Sequence, residues 1–280
     1  MIKDVLIVGA GNIGHRHFQS LAYSGDDYFI TVIDPDENCL SKIKSIKNQT
    51  KKISVETFQS ISKINKRYDL AIIATNSNIR FSVVDTILNS SIVNNFILEK
   101  FLFSNTQEYE KTSNLLKKHK SSAWVNCPRR SWGIYKDIKK NLNNDQILEL
   151  SVKGHDWGLA SNSIHFIDLF GWLVESQRLV LDLKGIEKKI YQSKRRGVEE
   201  FYGVINGKVG NTDLVLNCMK GSLRDFIFSI KTKKKNIIVD EKKLILKKID
   251  LTNNHYEERD IIIPSRSICG YCPCTICVLV

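Results

Sequence analysis

Three glycines in the run Gly9-Ala10-Gly11-Asn12-Ile13-Gly14 have the spacing that binds a pyrophosphate. The residues before them, Val5-Leu6-Ile7-Val8, are all apolar, as in a buried parallel strand, and a helical pattern follows from Ile13 to about Tyr23. In that setting Gly9 permits the tight turn, Gly11 lets the backbone approach the phosphates, and Gly14 lets the helix pack closely on the strand. Asn12 and Ile13 open the helix, whose free N–H groups and positive dipole end attract an anion. A second apolar run, Phe29 to Ile33, ends at Asp34, 20 residues after Gly14. A carboxylate there accepts hydrogen bonds from adenosine ribose hydroxyls and repels a 2′-phosphate. Pro35 and Asp36 follow it, with no arginine to welcome that phosphate. The pattern therefore points to a nicotinamide dinucleotide, with NAD favoured over NADP. Ala74-Thr75-Asn76 follows a third apolar run and has two compatible readings. Its small and hydroxylated residues let a cofactor pass near the backbone, and they also serve to start a helix near Ile79.

These residues need elements to hold them, and the first half of the chain supplies a βα rhythm. Apolar strands are expected at Val5–Val8, Phe29–Ile33, Tyr68–Ala74, Asn95–Leu98 and Ala123–Val125, with helices at Ile79–Leu88 and Thr106–Lys118. Strands separated by helices imply right-handed crossovers and a doubly wound parallel sheet, a Rossmann domain over residues 1–125. The rhythm then changes. Helices are expected at Ser131–Leu142 and Asn162–Leu173, with a strand at Ile147–Val152. After Leu179 come short runs at Phe201–Ile205, Asp213–Cys218, Phe226–Ile230, Ile237–Val239 and Leu244–Leu246, broken by glycine and charged turns. Such a succession predicts a second α/β domain over residues 126–264, with a large, mostly antiparallel open sheet. Residues 265–280 form an atypical tail, and a final strand is expected to be missing after Pro264.

Composition excludes several classes of function. A net charge of +12 invites a nucleic-acid partner, but the lysines are scattered and their densest groups alternate with Ile237, Ile238, Leu244 and Leu246, as on a solvated sheet face. No apolar run approaches the roughly 18 residues of a membrane helix. The opening residues run straight into a strand, too short a stretch for a signal peptide, so a cytoplasmic protein is expected. Cys269, Cys272, Cys274 and Cys277 crowd the tail. They are too close together for the two separated pairs of a usual zinc site, and no metal is expected.

Beyond the glycine turn the chain resembles the glucose–fructose oxidoreductase / inositol dehydrogenase (Gfo/Idh/MocA) family. Gly14-His15-Arg16-His17 is similar to its G-x-R-H extension, and Glu99-Lys100 to its E-K-P motif, with Phe101 in place of the proline. Asn126-Cys127-Pro128-Arg129-Arg130 resembles the segment that opens its second domain, and His165-Phe166-Ile167-Asp168-Leu169 its H-x-x-D-L helix. The resemblance implies homo-oligomer contacts through the C-terminal sheet. It also places Lys100 and His165 at a reacting centre. There a lysine can hydrogen-bond a substrate hydroxyl and stabilise developing negative charge, while a histidine accepts the proton near neutral pH. Glu99 would orient Lys100 at the cofactor's edge, and Asp168 would hold local structure.

Arg129, Arg130 and Lys153 are candidate contacts for an anionic or polyhydroxyl substrate, or plain salt-bridge partners. The family commonly carries an aspartate four residues before its histidine, where this chain has Ser161, and a glycine where it has Ser163. Asn162 and Asp156 are the nearby polar side chains that could stand in. The expected function is an NAD-dependent oxidoreductase acting on a hydroxyl or keto carbon of a sugar, polyol or nucleotide-linked sugar. Two alternatives stay open: a nicotinamide-binding sensor or assembly partner with little turnover, and an imine or tetrapyrrole reductase.

Overall fold

The apolar runs of the first half become the strands of one sheet in the structure, a computed structural model that describes residues 3–47, 52–142, 145–176, 178–193 and 199–263. In chain order the N-terminal elements are β1 (Lys3–Val8), α1 (Asn12–Ala22), β2 (Tyr28–Ile33), α2 (Glu37–Lys47), β3 (Ile53–Phe58), β4 (Arg67–Ile73), α3 (Ser77–Ser90), β5 (Ile92–Leu98), α4 (Thr106–Lys118) and β6 (Ser122–Val125). The six strands pair in the order β3-β2-β1-β4-β5-β6, all parallel. Both faces of the sheet are buried. Val5 and Ile7 pack with α1 and α2 residues such as Phe18 and Ile43, while Leu6 and Val8 pack with Val84 and Ile87 of α3. That two-sided burial is why these strands read as continuous hydrophobic runs.

The chain divides after Asn126, and Cys127–Ile263 forms a second compact unit. It opens with a 3₁₀ turn at Pro128–Ser131 and contains α5 (Gly133–Leu142), β7 (Ile147–His155), α6 (Leu159–Leu173), β8 (Val180–Asp182), β9 (Tyr191–Gln192), β10 (Glu199–Glu200), β11 (Gly203–Val209), β12 (Thr212–Met219), β13 (Asp225–Thr232), β14 (Lys235–Asp240), β15 (Ile245–Asp250) and β16 (Tyr256–Asp260). Eight of these strands make a sheet in the order β16-β15-β14-β13-β7-β12-β11-β8. Its neighbours are antiparallel except β7 and β12, which run parallel. Leu150 and Val152 of β7 share one buried cluster with Phe166, Leu169 and Phe170 of α6 and Ile134 and Tyr135 of α5, so both helices cover one face.

Several boundaries differ from the sequence expectation. The strand expected from Phe201 begins at Gly203, whose φ of +114° suits glycine and whose neighbour Gly185 leaves no room for a side chain. Leu244, expected inside a strand, has φ +61° and lies in the turn before β15. The cysteine-rich tail and the segment after Pro264 lie outside the described residues. Among the described residues no helix is long and apolar enough to cross a membrane.

Candidate functional site: a dinucleotide edge and the helix bearing His165

The sheet order places β1 beside both β2 and β4, so the strand order reverses at the gap between β1 and β4. Ligands of doubly wound sheets bind outside the carboxyl ends of strands at such a point. Gly9 closes β1 there, its N–H donating to the Ile33 carbonyl at 2.8 Å, and Ala74 N–H donates to the Val8 carbonyl at 2.8 Å. The two loops touch. A Cβ on Gly9, whose φ is +93°, would stand 2.9 Å from the Ala74 carbonyl carbon, and one on Gly14 would overlap the Gly9 carbonyl oxygen. Gly11 faces open space, with nothing within 4 Å of an added Cβ. A backbone cradle with room at its rim fits a pyrophosphate at the start of α1, where Gly11, Asn12 and Ile13 lie exposed or half-buried.

Asp34 lies at the end of β2, beside the glycine turn. Its Oδ2 accepts from Ala10 N–H at 2.6 Å and its Oδ1 from Asp36 N–H at 2.9 Å. Each carboxylate oxygen has a second lone pair, so this anchoring leaves acceptor capacity for ribose hydroxyls. Thr75 and Asn76 precede α3, and Asn76 is its N-cap without a side-chain capping bond.

Lys100 follows β5, half-buried, and its peptide bond to Phe101 is cis. Glu99 is turned inward, with 6% of its surface exposed. Its Oε1 lies 2.8 Å from His17 Nε2 and accepts from Asn126 Nδ2 at 2.6 Å. Burial pushes the Glu99 carboxyl up, but the bond and charge of His17, the Asn126 amide and the nearby Arg80 outweigh it and hold it below the ordinary carboxylate value. Through Oε1, Glu99 ties α1 and the end of β6 to β5 beside Lys100.

In the second unit α6 carries His165, half-buried, and Asp168 one turn further on. Arg130 Nε lies 3.5 Å from Asp168 Oδ2. Burial raises the Asp168 carboxyl pKa, against the pull of Arg130. Arg130 therefore belongs with His165 and Asp168 on the helix side of the sheet.

Its neighbour does not, and the substrate reading of Arg129 is overturned. The Arg129 guanidinium is buried and bidentate to Glu241, at 2.8 Å from Nε and 2.8 Å from Nη2, and its carbon lies 4.3 Å from the Phe166 ring centre. Tyr135 Oη donates to the same carboxylate at 2.6 Å. Lys153 stands apart from Arg130. Side chains alternate along β7, so Lys153 projects with Ser151 to the face opposite α6, where Ser151 pairs with Ser229 at 2.8 Å. Both side chains proposed as substitutes for the carboxylate missing at Ser161 have local partners. Asp156 accepts from Tyr202 Oη at 2.6 Å and from Gly221 N–H at 3.2 Å, and Asn162 Nδ2 donates to the Trp157 carbonyl at 2.6 Å. Sequence reasoning missed Glu200, a buried acid whose carboxylate accepts from the N–H groups of Ala160 and Ser161 at the start of α6. No sequence signal joins residues 40 positions apart.

Residues 3–127 match a family described as an oxidoreductase family with an NAD-binding Rossmann fold. No curated protein sequence gives a match. Among solved structures, a dehydrogenase from Clostridium difficile superposes with a TM-score of 0.76 at 17% identity, covering 99% of this chain and 88% of that one. A super-repressor mutant of Gal80p from Saccharomyces cerevisiae gives 0.74 at 14%, covering 96% and 82%. UDP-N-acetylglucosamine 3-dehydrogenase from Acidithiobacillus ferrooxidans gives 0.67 at 12%, covering 96% and 86%. At such identities these likenesses establish the fold and nothing finer.

Proposed function

Residues 3–127 match the Gfo/Idh/MocA oxidoreductase family, and on that premise we propose an NAD-dependent oxidoreductase acting on a hydroxyl or keto carbon of a sugar, polyol or nucleotide-linked sugar. The observation that carries the reading is the cradle of Gly9, Gly14 and Ala74 at the sheet's reversal point, with the Asp34 carboxylate beside it. The cradle holds a pyrophosphate, and Asp34 accepts the adenosine ribose hydroxyls and disfavours a 2′-phosphate. A bound nicotinamide supplies the hydride acceptor or donor. Lys100 hydrogen-bonds the reacting oxygen and stabilises its developing charge, and His165 takes the hydroxyl proton. Arg130 is the remaining candidate for an anionic substituent of the substrate. The protein is proposed to be cytoplasmic and homo-oligomeric through its eight-stranded sheet. The proposal extends to this chain the nucleotide-linked sugar class named for one protein of the same fold, UDP-N-acetylglucosamine 3-dehydrogenase.

The competing reading is nicotinamide binding without turnover. It is favoured by Ser161 in place of the family's carboxylate and by the likeness to the Gal80p repressor. Titration with NADH and NADPH, followed by turnover assays over a panel of nucleotide-linked sugars, separates the two. The oxidoreductase reading expects NADH to bind more tightly than NADPH, and Asp34→Ala to narrow that gap about ten-fold or more. It expects NADH formation with one sugar class, cut by about 10²- to 10⁴-fold in Lys100→Met and in His165→Ala. Tight NADH binding with no turnover on any sugar would leave the binding protein standing. A protein indifferent to both cofactors would sink both readings.

A further inference from the structure

Arg80 carries an inference that rests on the dinucleotide reading and goes beyond it. It stands in the first turn of α3 and is 2% exposed. Among the described residues no carboxylate lies within ion-pair distance of it. Its bonds go to main-chain carbonyls instead: Nη1 donates to Phe101 and, at 2.7 Å, to Leu102, and Nη2 donates to Thr75. Its Nε is buried with no partner. Burial draws the guanidinium pKa down to about 10, with the charges of Glu99 and Tyr109 opposing. A buried cation with no carboxylate in direct contact is a costly way to anchor a helix, since an apolar side chain would pack there without the desolvation penalty.

The positions of its three acceptors explain the cost. Thr75 follows β4, and Phe101 and Leu102 follow Lys100 at the end of β5, so a single planar fork spans the loops of two adjacent strands. The spacing of those loops at the carboxyl edge of the sheet sets where the Lys100 backbone stands relative to Thr75. Asp34, by contrast, follows β2, on the far side of β1. We propose that Arg80 is a positioning residue that shapes the nicotinamide half of the dinucleotide site, over β4 and β5, and leaves the adenosine half over β2 untouched.

The test compares two probes, NADH and ADP-ribose, the second having the adenosine, pyrophosphate and ribose but no nicotinamide. Calorimetric titration of Arg80→Met is expected to show NADH at least about ten-fold weaker and ADP-ribose within about two-fold of wild type. Equal losses on both probes would mean that Arg80 only supports the domain, and no loss on either would mean that the loops stand without it. Both results overturn the proposal. Should Arg80→Met fail to fold, Arg80→Lys keeps the charge but reaches fewer of the three carbonyls. It is expected to give the same split in smaller measure, and an even loss overturns the proposal there too. A wild-type protein that binds neither probe overturns the dinucleotide reading itself, a failure visible before any variant is compared.

Discussion

Two buried carboxylates, Glu99 in the N-terminal unit and Glu241 in the C-terminal one, are built from similar parts. Each meets a basic side chain and one further donor: His17 and Asn126 at Glu99, Arg129 and Tyr135 at Glu241. They differ in what the cluster holds. Both oxygens of Glu241 are taken by the arginine fork, and the cluster is closed by the rings of Trp132 and Phe166 above the guanidinium. It fastens the 3₁₀ turn to the end of β14. Glu99 instead sits one residue before Lys100, so its cluster fixes the strand end from which a reactive side chain departs. A buried ion pair marks a site through its neighbours in the fold, and the arginine that looked like a substrate contact is internal for that reason.

The comparison can be broken at its strongest point first. Arg129→Met strands Glu241 as an unpaired buried charge, and chemical denaturation is expected to show the C-terminal unit weakened by about 3–5 kcal/mol. Adding Glu241→Leu should return part of that loss. A single variant as stable as wild type would show that the pair is not desolvated as described.

A smaller effect is expected at the other cluster. Glu99→Gln keeps acceptor geometry but removes the charge, and should cost about 1–3 kcal/mol at neutral pH. The sign with pH follows from the lowered carboxyl of Glu99. Its contribution is fully present above the ordinary carboxylate value of 4.5 and is lost as the pH falls through the lower folded value. Melting curves of wild type and Glu99→Gln should therefore stay apart at neutral pH and converge on acidification below 4.5. A gap that widens with acid would contradict the assignment.

The smallest effect sharpens the placement of the basic residues. Lys153→Ala, on the face away from α6, is expected to change stability by less than about 0.5 kcal/mol and turnover by less than about two-fold. Arg130→Ala, on the helix side, should raise the KM for an anionic substrate. A turnover defect in Lys153→Ala larger than that in Arg130→Ala would reverse the two positions.

What could be read from the sequence follows from the range of the interactions involved. β1, β2, β4 and β5 are buried on both faces, so their apolar runs announce them, and the glycine turn with Asp34 is a local pattern. Helix α2 and strand β3 carry weaker signals and escape such a reading. β3 shows one fully buried residue, Ile53, at the edge of the sheet. β8 and β16 escape it for the same reason, since β8 is exposed throughout and β16 nearly so. Ion pairs are worse still, because the partner of Arg129 lies 112 residues away, and nothing in Asn126-Cys127-Pro128-Arg129 distinguishes a buried fork from a binding one. Arg80 sits in a stretch that reads simply as helix, and its significance appears only when two loops converge on it.

The parallel pairing of β7 with β12 has a consequence for how the chain is made. β7 is the earliest strand of its sheet to leave the ribosome, yet it sits in the middle, between β12 and β13. At typical rates of synthesis it waits on the order of ten seconds for both neighbours. Leu150, Val152, Trp157 and Phe166, all buried in the finished fold, have only α5 and α6 to pack against during that interval, without the flanking strands. The C-terminal unit should therefore fold late and slowly from long-range contacts, and its dependence on chaperones should exceed that of the N-terminal unit, whose β1 finds β2 within a few dozen residues.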